Sequence, residues 1–215
     1  MNAPLPNGLQ RSLEIVQPRD AAVLLLRHAD RPPLQDGDSG HEIALTETGV
    51  ARSAALGQWL AARQQVGAVT SPLRRCVQTA EVALAGHPQA QGILPDRRLG
   101  HPGPFVFDSK LVGQIFATDG THSVVRRLLA GEAIAGMRSA RDATELVLGL
   151  AVPLLQSGGT HLLVTHDAIL MPIVQQLCGE SFVDRWLDPL DGAVLLWRGG
   201  RLQCVWQGQL QEVLA

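Results

Sequence analysis

The sequence predicts an α/β fold, a three-layer sandwich in which a mainly parallel sheet has helices on both faces and carries a small cap insertion. Short apolar runs, typical of buried strands, alternate along the chain with longer segments of helical character. Several of these runs end abruptly in charged or polar residues, as strands do at a ligand-binding sheet edge. With 215 residues, 46% of them hydrophobic, the chain can bury the core of one domain.

The hydrophobic pattern assigns each element in turn. Apolar runs predict strands over residues 22–27, 66–70, 161–165 and 193–198, the last pairing with 202–207 across Gly199-Gly200, a hairpin signal. Helices are predicted over residues 46–64, 72–85, 123–130, 140–156 and 168–178. Thr46 and Ser71 are suited to be helix N-caps, and Pro72 is suited to the first helical position.

Two segments do not fit the alternation. Residues 1–20, rich in Pro and Asn, are predicted to form a loose N-terminal arm, and residues 21–215 a single domain. Within that domain the alternation breaks over about residues 95–136, where Gly and Pro cluster. We place the cap insertion in that segment.

Composition excludes several kinds of partner. A net charge of -2 gives no global field that would attract nucleic acid or a membrane, so an anionic ligand must be held by local arginines. No apolar run approaches the roughly 20 residues of a membrane helix, and residues 1–10 lack the basic start of a signal peptide. The 3 cysteines are widely spaced, which indicates reduced thiols and a cytoplasmic location. The sequence carries no signal for an oligomeric state.

No metal site is predicted. His41-Glu42 lacks the second histidine of a zinc-protease helix, and Cys178 and Cys204 have no close ligand partners in the sequence. The 4 tryptophans are expected to pack in the core or in the hairpin, because no basic stripe accompanies them.

The ends of three predicted strands are polar. The first strand delivers Arg27 and His28, the second runs into residues 71–75, and the third runs into His166 and Asp167. Because the carboxyl ends of parallel strands share one edge, we expect one pocket with two histidines and at least two arginines. The start of the helix after Ser71 adds backbone N–H groups to that pocket. Such a pocket favours an anion, and arginine forks suit phosphate oxygens.

Four motifs occur in a specific order. They are RHA at residues 27–29, LTETG at 45–49, SPLRRCVQTA at 71–80 and VTH at 164–166. These resemble the Arg-His-Gly, Leu-Thr-x-x-Gly, Ser-Pro-Leu-x-Arg-Ala-x-x-Thr-Ala and second-histidine segments of the histidine phosphatase superfamily, also called phosphoglycerate mutase-like. The resemblance spans residues 24–167 but does not extend to the cap insertion or the arm. Ala29 stands where the family has glycine.

The resemblance implies a mechanism. His28 would attack phosphorus and become a phosphohistidine, while Arg27, Arg75 and His166 would hold the phosphate oxygens, with no metal or other cofactor. Attack needs a lone pair on one nitrogen of His28, so the other nitrogen should donate to a backbone carbonyl or similar acceptor. The family's binding arginine stands four residues before a threonine, which selects Arg75. Arg74 should point away, to solvent or an acidic neighbour.

The sequence departs from the small mutase-like members at the position of the proton donor. Those members usually supply a glutamate where this chain has LGHPG at residues 99–103. RHADRPP at residues 27–33 resembles instead the acid phosphatase and phytase branch, whose donor is the aspartate of a His-Asp pair. Asp167 is then the expected donor and Arg31 an added phosphate contact; the alternatives are that Asp167 only caps the next helix and that Arg31 is solvated. Other possible donors are Asp96, Asp108 and His101.

The expected function is metal-independent hydrolysis of a small-molecule phosphate monoester through a phosphohistidine on His28. A phosphoglycerate mutase-type phosphotransferase is the alternative within the family. A non-catalytic phosphate-binding module is the alternative outside the enzymes, because the usual glutamate is missing. Specificity is expected to reside in residues 95–136, whose sequence does not identify the substrate.

Overall fold

A computed structural model describes residues 3–34, 40–182 and 185–213 of the chain. The strands in this part are β1 (Ala22–Arg27), β2 (Val66–Thr70), β3 (Ala90–Pro95), β4 (Thr160–Thr165), β5 (Gly192–Arg198), β6 (Arg201–Trp206) and β7 (Gln209–Glu212). The helices are α1 (Asn7–Ile15), α2 (Glu47–Leu60), α3 (Arg74–Leu84), α4 (Ser109–Leu129), α5 (Ala140–Ser157) and α6 (Asp167–Cys178), with a 3₁₀ helix at Arg97–Leu99. None of these helices combines the length and apolar character that crossing a bilayer requires.

The strands form one mixed sheet in the order β3-β2-β4-β1-β5-β6-β7. The first four are mutually parallel, and β5, β6 and β7 continue the sheet antiparallel. The predicted hairpin between β5 and β6 is confirmed, and Gly199 and Gly200 have the positive φ angles, 59° and 76°, that its turn requires. The α/β class is therefore confirmed, with a parallel core.

Helices cover both faces of the sheet. In β1, Leu24 and Leu26 pack in a core with α1, α2 and α3, whereas Val23 and Leu25 pack in a second core with α4, α5 and α6. Burial on both faces explains why β1 is an unbroken apolar run and not an alternating one. The three-layer prediction is confirmed.

The prediction of a loose arm over residues 1–20 is wrong for residues 7–15, which form α1. Leu9 and Leu13 are buried and join the core shared with α2 and α3. The hydroxyl of Ser12 accepts a hydrogen bond from the Gly208 N–H at 3.1 Å. The four-residue spacing of the two leucines puts them on one face of a helix, and this spacing is the signal in the sequence that indicates α1.

The segment predicted as a cap insertion contains the 3₁₀ helix and α4. Helix α4 is interrupted at Gly120, whose φ of 75° and ψ of 156° are not helical. The helix predicted over residues 123–130 is only its second half. The edge strand β3, which the hydrophobic pattern does not predict, ends at Pro95, a residue that an edge strand tolerates.

Candidate active site

Three polar residues follow the ends of three parallel strands. His28 follows β1, Ser71 follows β2 and His166 follows β4. The N–H of His28 donates to the Thr165 carbonyl at 2.9 Å, and the N–H of Ser71 donates to the Val164 carbonyl at 2.8 Å. These bonds extend the parallel ladder past the strands, so the backbone fixes all three residues at one edge.

His28 is buried and carries its proton on a defined nitrogen. Its Nδ1 lies 2.8 Å from the carbonyl oxygen of Ala29. Because a carbonyl only accepts, Nδ1 carries the hydrogen and Nε2 keeps its lone pair, as attack on phosphorus requires. The pKa of His28 is lowered to about 3, chiefly by burial and also by the charges of Arg75 and Arg27, while the hydrogen bond to the Ala29 carbonyl opposes the shift. The imidazole is neutral at pH 7.

His166 lies beside His28 and is bonded on both ring nitrogens. The two ring centroids are 5.5 Å apart, with an angle of 67° between the planes. Arg75 Nη2 lies 3.2 Å from His166 Nδ1, and Ser71 Oγ lies 2.9 Å from His166 Nε2. Since arginine only donates, Nδ1 accepts, and Nε2 donates to the hydroxyl. Burial, followed by electrostatic interaction with His28 and with the charge of Arg75, lowers the pKa of His166 well below its usual value.

Arg75, and not Arg74, faces the pocket. Arg75 is buried and also donates through Nη1 to the Gly40 carbonyl at 2.6 Å. Arg74 pairs with Glu81 at 2.6 Å on the outside of α3, which confirms the expectation of an acidic neighbour. One step along the helix thus separates the two environments.

The prediction that Ser71 is the N-cap of the next helix is wrong. Helix α3 begins at Arg74, its N-cap is Leu73, and no side chain caps it. The Ser71 hydroxyl is instead engaged with His166 Nε2. Pro72 consequently precedes the helix and is not its first residue.

Asp167 is the first residue of α6 and is held by three donors. Arg27 Nη2 and Trp186 Nε1 both lie 2.8 Å from its Oδ2, and the Ala168 N–H donates to Oδ1 at 2.8 Å. Arg27 also donates to the Leu187 carbonyl. Burial raises the pKa of Asp167, but the charge of Arg27 and the bond from Trp186 outweigh it, so the pKa is lowered. The carboxylate therefore pairs with Arg27 and accepts from the Ala168 N–H in the first turn of α6, whose N-cap is His166.

Trp186 belongs to the site, although its sequence context indicates only a packing residue. It is half-buried, donates to Asp167, and has its ring centroid 4.2 Å from that of His122 in α4. The cap segment therefore reaches the candidate site through this ring pair. No local pattern marks Trp186, because one partner, Asp167, lies 19 residues earlier in the sequence and the other, His122, lies in α4.

Arg31, the expected additional phosphate contact, and the other possible proton donors make none of the hydrogen bonds described above. Arg31 Nη1 donates to the Pro32 carbonyl at 2.6 Å, yet its charge helps to lower the pKa of His166, so it lies near the site. Asp96 pairs with Arg98 at 2.8 Å. Asp108 accepts from the Leu111 N–H and caps α4, whereas His101 is exposed and packs its ring 4.2 Å from that of His41.

Thr79 and Gly100 contact the residues of the site. Thr79 of α3 accepts from the Ala29 N–H at 3.1 Å and donates to the Arg75 carbonyl at 2.7 Å, which links the loop after β1 to α3. Gly100 has a φ of 153°, and a Cβ there would lie only 2.7 Å from His166 Nε2. Glycine is therefore needed where the backbone approaches His166.

The structure thus brings His28, Arg27, Arg75, His166 and Asp167 to one sheet edge. A neutral imidazole with a free lone pair beside two guanidinium groups can accept a phosphoryl group and stabilise its charge. Within the described residues, no group of three or more His, Cys, Asp or Glu could hold a metal ion.

Comparisons with known proteins identify a family and a shared fold. Residues 23–100 match the family model of the histidine phosphatase superfamily (branch 1). The match is to branch 1, and the acid phosphatase and phytase features suggested by residues 27–33 are not shown. A search of curated proteins found no match.

Solved structures share the fold at low sequence identity. YhfR from Bacillus stearothermophilus is 19% identical with a TM-score of 0.61, over 88% of this chain and 98% of that one. A mycobacterial glucosyl-3-phosphoglycerate phosphatase is 21% identical with a TM-score of 0.58, over 89% and 100%. Phosphoglycerate mutase from Bacillus anthracis str. Sterne is 14% identical with a TM-score of 0.55, over 92% and 93%.

Proposed function

We propose that the chain, whose residues 23–100 match the histidine phosphatase superfamily (branch 1), hydrolyses a small phosphate monoester without a metal, through a phosphohistidine on His28. One observation carries the proposal. The buried, neutral His28 keeps its Nε2 lone pair while Arg27, Arg75 and His166 surround it with groups suited to phosphate oxygens.

In the first step, His28 Nε2 attacks phosphorus and the bond from phosphorus to the leaving oxygen breaks. Charge spreads over the three equatorial oxygens, and Arg27 and Arg75 stabilise it. Arg75 Nη2, which bonds to His166 Nδ1 in the free protein, turns to a phosphate oxygen. The negative phosphate favours protonation of His166, which then becomes a further donor.

Asp167 supplies the proton to the leaving oxygen. In the free protein Arg27 and Trp186 keep its carboxylate ionised. A nearby phosphate dianion disfavours a second negative charge and raises the pKa of Asp167. Substrate binding therefore favours protonation of the Asp167 carboxylate. In the second step the carboxylate takes a proton from the water that attacks the phosphohistidine, and the N–P bond breaks.

The proposal is tested by assaying the purified chain on para-nitrophenyl phosphate with and without EDTA, and on 3-phosphoglycerate. We expect release of inorganic phosphate at a rate that the chelator does not change. Loss of turnover in EDTA contradicts metal independence. Isomerisation of phosphoglycerate without release of phosphate supports the mutase, and phosphate binding with no turnover of any ester in a screen of phosphorylated metabolites supports the module.

A further inference from the structure

Two cysteines that are far apart in the sequence lie next to each other at the C-terminal end of α6, the helix whose first residue is Asp167. Cys178 is the last residue of α6, Cys204 lies in β6, and their sulfur atoms are 2.7 Å apart. The fold therefore makes neighbours of two cysteines that are 26 residues apart in the sequence. A disulfide bond measures about 2.05 Å, so the two sulfurs need to approach by less than 1 Å (roughly 0.65 Å) to be joined.

Contacts beside the pair hold it in this position. Trp206 Nε1 donates to Glu180 Oε2 at 3.0 Å, and the rings of Phe182 and Trp206 are 5.7 Å apart. These contacts tie the segment after α6 to the strand that carries Cys204. The native fold therefore presents the two sulfurs to each other.

The two thiols differ in exposure and acidity. Cys178 is half-buried, whereas Cys204 is buried. The hydrogen bond between the two thiols lowers the pKa of Cys178, although burial opposes this, and the same bond together with burial raises the pKa of Cys204. The thiolate is the reactive form of cysteine, and Cys178, the more exposed of the two, forms it more readily.

We propose that Cys178 and Cys204 form an oxidation site that a peroxide converts into an intramolecular disulfide. The Cys178 thiolate attacks one peroxide oxygen, the O–O bond breaks, and Cys178 becomes a sulfenic acid while the other oxygen leaves as hydroxide. Cys204 sulfur then attacks Cys178 sulfur, the S–O bond breaks, and a second hydroxide leaves. The thiol protons turn both hydroxides into water, and the two sulfurs together give two electrons to hydrogen peroxide.

The third cysteine is a built-in control. Cys76 is buried beside His166, and burial raises its pKa to about 12. It has no cysteine partner within the described residues. A buried, protonated thiol reacts slowly, so the proposal requires Cys76 to stay reduced while the other two are oxidised.

The test is peptide mapping of the full, folded chain. The protein is reduced, desalted, treated with one equivalent of hydrogen peroxide, alkylated in denaturant and digested with trypsin. Cys76, Cys178 and Cys204 fall in separate tryptic peptides, residues 76–97, 142–185 and 202–215. We expect a loss of about 2 Da in the intact protein, a linked pair of peptides 142–185 and 202–215, and an alkylated peptide 76–97.

Controls separate native proximity from chance collision. Cys178→Ser and Cys204→Ser should each abolish the link, and peroxide treatment in denaturant should scramble it across all three cysteines. The oxidised protein should also unfold about 5–10 °C higher than the reduced one, because the link closes a loop. An unlinked sulfinic acid on Cys178, a disulfide between two chains, or full alkylation of all cysteines after peroxide would each overturn the proposal.

Discussion

The parallel strands (β3, β2, β4 and β1) and the antiparallel strands (β5, β6 and β7) belong to one continuous sheet, but they place side chains differently. Parallel strands all end at the same edge, so the residues after β1, β2 and β4 meet there. Antiparallel strands end at opposite edges in turn, so β5 to β7 gather no such group. Their half contributes through the loop before β5, where Trp186 and Leu187 contact the site. The direction of the strands, more than burial, decides where polar side chains can come together to form a site.

The same contrast exists within one strand. His161 lies near the start of β4 and His166 directly after its end, and both are buried or nearly so. His161 Nε2 lies 2.9 Å from the Gly158 carbonyl, far from the catalytic edge, whereas His166 contacts Arg75 and Ser71. His161 is therefore a matched control for a histidine at the catalytic edge.

Removal of the nucleophile gives the largest expected effect. His28→Ala should reduce turnover of para-nitrophenyl phosphate by at least about a thousandfold, because the change removes the nitrogen that forms the covalent intermediate. His161→Gln should stay within about twofold, since it lies at the opposite edge. The assay is paired with thermal unfolding to show that both variants fold. Comparable losses of turnover in the two folded variants would contradict the assignment of catalysis to the edge that carries His28 and His166.

The next largest effect separates two neighbouring arginines. Arg75→Ala should reduce turnover by about 100- to 1000-fold, the usual effect of removing a donor to transition-state charge. Arg74→Ala removes only an exposed pair with Glu81 and should change turnover by less than about twofold. Steady-state kinetics of both variants measures this ratio. If Arg74→Ala is the more damaging change, the assignment from the family segment is wrong.

Asp167→Asn should give an intermediate effect that depends on the leaving group. With an alkyl phosphate, whose leaving oxygen needs a proton, we expect about a 100-fold loss; with para-nitrophenyl phosphate, less than about tenfold. The two substrates are compared on the same protein, so folding cancels from the ratio. An equal loss on both substrates removes Asp167 from the donor role and returns attention to His101.

The smallest effect is expected in the antiparallel half. Arg201 pairs with Glu212 at 3.2 Å on the surface, with 68% of the Arg201 side chain exposed. Arg201→Ala should lower the free energy of unfolding by at most about 1 kcal/mol and leave turnover unchanged. Urea unfolding and the ester assay measure the two quantities. A clear loss of turnover would show that this half of the sheet acts on the site.

Much of the catalytic edge follows from local sequence. The apolar run that ends at Arg27 predicts a buried strand, and the shared direction of parallel strands is enough to predict that His28 and His166 meet. The choice of Arg75 over Arg74 also follows, although from the family segment more than from helix period. The tautomer of His28 is predictable because attack requires it.

Other features depend on contacts that no local pattern records. Trp186 reaches Asp167 across a loop, and Cys178 meets Cys204 across 26 residues. Strand β3 escapes prediction because its Gly92 and Pro95 argue against a strand, and only an edge position tolerates them. The local preference of Ser71 favours a cap, but its hydroxyl bonds to a residue 95 positions away.

The proposed mechanism requires that His28 carries the phosphoryl group during turnover. The most direct measurement is to quench the reaction with a ³²P-labelled ester within milliseconds and map the label on the protein. We expect an acid-labile, alkali-stable label on His28 that forms and decays at the rate of turnover. A label on another residue, or turnover with no labelled protein at any time, would contradict it.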